Sequence, residues 1–172
     1  MVKVLESIGP YPGSEQEVTF VNLISQDGHS GGELGYLENP VRPNSDLSAG
    51  FSVERWVRFL FDPPFALISD LYFWIPDLIV PFGWTFKYGL TDTYQEPTSS
   101  ESSYATLSIP DEKPIAPNIG GVPPIAGPSS YYTDWIVMQA SVSGDAASGP
   151  IQGFDSLNRP IPFQYRLEWT QV

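Results

Sequence analysis

The chain has 172 residues, 20 of them acidic and 8 basic, for a formal net charge of −12, with no cysteine and a single histidine. That length suits one domain able to bury a core without metals or disulfides. The missing cysteines rule out disulfides, thiolate metal sites and a thiol nucleophile, and eight dispersed Lys and Arg form no basic patch for nucleic acid or an anionic membrane.

The first residues, "MVKVLESIGPYPGSEQ", lack a basic region followed by an apolar run, so no signal peptide is predicted and the chain is expected to fold in the cytoplasm where it is made. "EVTFVNLIS", Glu17 to Ser25, is β-branched and aromatic enough for a strand. Residues 26–50 are rich in turn formers and predict a long surface loop, in which Asn44 or Ser45 caps at most one helical turn before Gly50.

From Phe51 the signal is alternation. Phe51, Val53, Arg55, Val57, Phe59 and Phe61 share one side and Glu54 and Arg58 the other, as in a strand whose successive side chains point to opposite faces. The most apolar run, Phe65 to Phe86, is broken by Ser69, Asp70, Pro76, Asp77 and Pro81. A membrane span needs about 20 consecutive apolar residues, so this run reads instead as a strand over about Ala66 to Ile75, a turn or crossover through Pro76 to Gly83, and a strand from Trp84 to Tyr88 with Trp84, Phe86 and Tyr88 on one buried face.

Residues 97–130 hold seven prolines between Pro97 and Pro128. Such composition favours extended chain, and a connection longer than about 12–15 residues tends to be functional or disordered. The segment reads as an excursion that leaves the sandwich and returns at Tyr131: either an insertion without fixed structure or an arm ordered against a neighbouring subunit. On the arm reading, removing Ser99 to Ser129 leaves a folded body. "DWIVMQASV" is apolar on both faces at first and then polar on one, as a central strand reads. "PIPFQYRLEW" alternates Ile161, Phe163, Tyr165, Leu167 and Trp169 with polar residues and proline, giving a half-buried strand. Together these elements predict a single all-β domain over residues 1–172, an antiparallel β-sandwich or jelly roll with little helix.

No constellation points to catalysis. His29, in "QDGHSGG", has Asp27 and Ser30 beside it but no nucleophile elbow, and reads as an exposed loop histidine. Zinc-type ligands are lacking. The carboxylates of Asn44 to Asp46, Asp92 to Glu96 and Pro110 to Lys113 match no spaced calcium loop and read as turns. Twenty acids always allow some pair at the roughly 5–9.5 Å of a glycosidase, and none is singled out. "GGELG" and "NIGGVPP" lack the Lys-Ser/Thr of a phosphate loop. No cofactor and no metal are expected. Tyrosines in or beside loops, Tyr11, Tyr94, Tyr104, Tyr131 and Tyr132, are the better clue, since their rings give contact area at low entropy cost.

The combination of "FSVERWVRFLF", "ISDLYFWIPDLIVPFGWTFKYGLTDTYQEPTSS", "PIAPN", "YYTDWIVMQASVSGDAASGPIQG" and "FQYRLEW" resembles a group of tailed-bacteriophage virion proteins, over about Phe51 to the C-terminus. The resemblance implies a small β-rich particle component, a capsid decoration or cement protein or a neck or tail accessory. Its partners would be other virion proteins and further copies of itself. On that reading the chain is not an enzyme, resides in the virion, and contacts its partners through Tyr94, Tyr104, Ile109, Ile115, Ile119, Val122, Ile125, Tyr131 and Tyr132. The alternative is a carbohydrate-binding sandwich that stacks sugar on Tyr131 and Tyr132.

Overall fold

The computed structural model describes residues 1–7, 9–10, 15–18, 21, 23, 41–44, 48–65, 67–76, 78, 80–119, 130–146 and 166–171. Among these there is no helix, and ten strands form: β1 (Val2–Ser7), β2 (Glu15–Glu17), β3 (Gly50–Phe51), β4 (Arg55–Phe61), β5 (Ile68–Trp74), β6 (Trp84–Thr91), β7 (Leu107–Ser108), β8 (Tyr131–Tyr132), β9 (Trp135–Val142) and β10 (Arg166–Gln171). Eight make one antiparallel sheet in the order β2-β1-β4-β9-β6-β7, with β3 also on β9 and β8 on β4. The other two, β10 and β5, pair as a second sheet packed on the first. The fold is an all-β antiparallel sandwich.

Alternation places the core. Val57, Phe59 and Phe61 of β4, Phe86 and Tyr88 of β6, and Ile136, Met138 and Ala140 of β9 project from one face of the large sheet onto Ile68, Leu71 and Phe73 of β5. Leu167 and Trp169 of β10 close over them, the Trp169 ring meeting Phe61 edge-on at 5.3 Å. Fully burying an apolar side chain of this size stabilises by about 1.5–3 kcal/mol. The inward residues of β5 skip from 68 to 71 because Asp70 adopts a φ of 52° where the β5–β10 register shifts; this β-bulge returns Leu71 to the core face.

Of the strand predicted over Glu17 to Ser25, the described residues are Glu17, Val18, Val21 and Leu23, and only Glu17 lies in a strand; Val18 N–H donates to Val4 O, and Val21 and Leu23 pack on the core outside any strand. β1 is a strand the sequence reading lacked; six residues ahead of a Pro/Gly cluster are too few for periodicity to speak. In the 26–50 loop, the Asn44 side-chain amide donates to Ser48 Oγ and Ala49 O, and the turn expected to follow it falls on residues 45–47, outside the described residues. His29 and the "GGELG" stretch lie outside the described residues, as do Ile161, Phe163 and Tyr165.

The larger correction concerns residues 97–119, which do not leave the sandwich. Glu54 N–H donates to Thr98 O, Ile109 N–H to Phe86 O, and Ile75 N–H to Pro110 O. Asn118 then completes the free edge of β5: its backbone N–H donates to Leu71 O, its side-chain Oδ1 accepts from Phe73 N–H at 2.7 Å, and its Nδ2 donates to Phe73 O and to the Tyr88 hydroxyl. One amide side chain thus supplies the donor and acceptor that a paired strand residue would. Residues 120–129 lie outside the described residues.

Candidate functional site

The second face of the large sheet differs in chemistry. Trp56 and Val137, neighbours across β4 and β9, and Trp135 form a separate buried cluster. Residues 92–106 cross over it, laying Tyr94 and Tyr104 edge-on to Trp56 with ring centroids 5.2 Å away in each case. Gly89 permits this approach, since a Cβ there would stand 1.9 Å from Tyr104 O. Irregular chain on a sheet has no ladder to satisfy its backbone, so side chains must do so. The buried Gln139 accepts from Ser102 N–H and donates to Ser52 O and Ser100 O. Glu54 accepts from Trp56 Nε1 and Thr98 N–H, and Ser102 Oγ accepts from the N–H groups of Tyr104 and Ala105.

The expected contact residues divide accordingly. Ile109, Ile119 and Tyr131 belong to the chain's own core, so as partner contacts they are corrected: an apolar side chain already packed inside offers a partner nothing. Tyr94 and Tyr104 are half-buried on Trp56, and the Tyr94 hydroxyl donates to Gly9 O. Burial raises the Tyr94 pKa above its usual value, a hydrogen bond with Ser7 working the other way. Ile115 is fully exposed and Tyr132 is 41% exposed. Val122 and Ile125 fall outside the described residues. Tyr131 is 8% exposed, its ring stacked on Phe61 and its pKa pushed far up by burial and by nearby Asp134. Tyr131 and Tyr132 therefore do not make a shared sugar-stacking platform.

Two displayed features were missed from sequence. Arg58 lies with its guanidinium 4.1 Å from the Tyr132 ring centroid and 4.5 Å from that of Trp135, and pairs with Glu15. Alternation had placed Arg58 on the face opposite Phe59, but nothing in one strand shows which rings a neighbouring strand brings. The second is Phe82, 70% exposed in the turn between β5 and β6, beside the exposed Val80. That turn is fixed: Trp84 N–H donates to Pro81 O, Ser143 N–H to Gly83 O, and Gly83 has a φ of 80° with Ala146 Cα 2.4 Å from where a Cβ would stand. "VPFG" carried the signal, a large aromatic between Pro and Gly, where chains turn outward.

Among the described residues, no group of three or more His, Cys, Asp or Glu side chains could hold a metal ion, and no helix is long and apolar enough to cross a membrane. Around Asp92 the side chains serve a local turn, with Thr93 N–H donating to Thr91 Oγ1 and Thr93 Oγ1 to Asp92 Oδ1. No protein-family model, curated protein or solved structure matches the chain.

Proposed function

We propose that the chain is a structural subunit of a tailed-bacteriophage particle, a capsid decoration or cement protein or a neck or tail accessory, which binds neighbouring subunits without catalysing a reaction. The observation that carries the reading is the display of Phe82 on a braced turn. An exposed aromatic on a fixed backbone loses little freedom when it enters a partner's pocket, and large aromatics and Arg dominate binding energy at protein interfaces. Arg58 and Tyr132 offer a second such group. The resemblance of the Phe51-to-C-terminus pattern to virion proteins supplies the particle context, and a net charge of −12 argues against nucleic acid as the partner.

The test is mass spectrometry of purified particles with a density map to locate the chain, repeated for Phe82→Ser. Incorporation of the parent chain with at least a tenfold loss for the variant is the expected result. Absence of the parent chain from particles ends the proposal; normal incorporation of Phe82→Ser removes Phe82 as the anchor.

A further inference from the structure

Residues 92–106 cover only part of the sheet's second face. Beyond the Trp56 cluster the register sets Phe51, Ser141 and Thr85 in one row across β3, β9 and β6, with Lys87 and Gln139 as the next pair along β6 and β9. Glu101, Ser102 and Thr106 wall this area, and the resulting groove encloses about 320 Å³. Its floor is rigid, because the Gln139 amide is held by three backbone groups and the Thr85 and Ser141 hydroxyls hydrogen-bond at 2.6 Å.

We infer that this groove binds a short neutral saccharide. Its volume lies at the lower end of the roughly 300–1,000 Å³ of small-molecule sites, room for one or two sugar rings. Lys87 and Glu101 both line it, and no ion pair joins either to another described residue. One cation and one carboxylate give the groove no net charge of its own, and the −12 of the chain opposes an anionic ligand. A wholly apolar ligand would strip water from both charges and from the Thr106 hydroxyl without replacing its hydrogen bonds. A polyol replaces them, giving hydroxyls that donate to Glu101 and accept from Lys87, while the half-buried Phe51 offers carbon surface to the C–H face of a sugar ring. This site is distinct from Tyr131 and Tyr132, and the inference stands whether or not the chain is a particle subunit.

The experiment is amide NMR titration of the full chain with glucose, galactose, mannose, N-acetylglucosamine, lactose and maltose, with glycine as a dipolar comparison. The expected result is saturable shifts confined to residues 85–87, 101–106 and 139–141 for at least one sugar. Binding should weaken at least about tenfold, near 1.4 kcal/mol, in Lys87→Ala and in Glu101→Ala, whose side chains reach solvent and whose amide spectra should otherwise match the parent; Phe51→Leu should weaken it as well. The inference is overturned if no sugar gives saturable shifts, if the shifts centre on Tyr132 and Arg58, if glycine binds as tightly as the best sugar, or if both charge variants bind like the parent.

Discussion

One face of the large sheet is covered by two strands and the other by irregular chain, and their chemistries differ as that difference requires. Under β5 and β10 the strands satisfy one another's backbones, so Val57, Phe59, Phe61, Phe86 and Ile136 can meet Ile68, Leu71 and Phe73 as hydrocarbon, and the buried charge on that side of β4 is Arg55, set against Glu6. Under residues 92–106 each turn of the covering chain needs its own polar partner, so Glu54, Ser52, Ser102 and Gln139 are buried beside Trp56 and Trp135. Covering a sheet without a ladder exchanges generic packing for particular hydrogen bonds, and among the described residues it leaves part of the face open.

The largest effect should come from excising Ser99 to Ile119, which strips cover from the second face and the edge of β5 together. The truncated chain should lose its cooperative unfolding transition; a sharp transition near the parent midpoint would return the segment to the status of a dispensable arm. Trp56→Ala and Phe73→Ala compare the faces directly. Each should cost about 3–5 kcal/mol in denaturant unfolding, and a cost for Trp56 far below that for Phe73 would show the irregular cover to be loosely held. Gln139→Ala should cost about 1–3 kcal/mol, because Ser102 N–H, Ser52 O and Ser100 O lose their partner.

The smallest effect is electrostatic. Burial, and secondarily the charge of Asp92, raise the Asp134 pKa above its ordinary 3.8. Between the ordinary and the raised value the folded chain holds more proton at this site than the unfolded chain, so this carboxyl lowers stability as pH rises through that window. Asp134→Asn should therefore raise the melting temperature slightly at pH 7, with the difference vanishing below the ordinary value; a variant less stable than the parent at pH 7 would contradict the assignment.

Regular packing was legible in the sequence, and irregular packing was not. Trp84, Phe86 and Tyr88 share the core face as their alternation predicts, β9 is apolar on both faces over Trp135 to Val137 and then polar on one at Gln139 and Ser141, and Leu167 and Trp169 turn inward. Residues 97–130 read as an excursion because prolines and serines carry no period, yet 97–119 stay on the sandwich. What fixes them is a pair of amide side chains, Asn118 and Gln139, reaching across 45 and 37 residues to Phe73 and Ser102, and a single amide in a sequence announces nothing about the backbone it will meet. The displayed side chains were legible only in part: the exposure of Tyr132 agrees with its loop-side position, whereas Phe82 stood inside a stretch whose Phe73, Trp84, Phe86 and Tyr88 pack in or against the core.

The two ends of the large sheet carry a consequence for how this chain behaves when concentrated. A long bare strand at a sheet margin recruits identical strands and seeds insoluble fibres. Among the described residues one margin is β2, three residues of which two are glutamates, and the other is β7, only two residues long. Neither of these outermost strands is long enough by itself to template a stack of identical chains along that sheet.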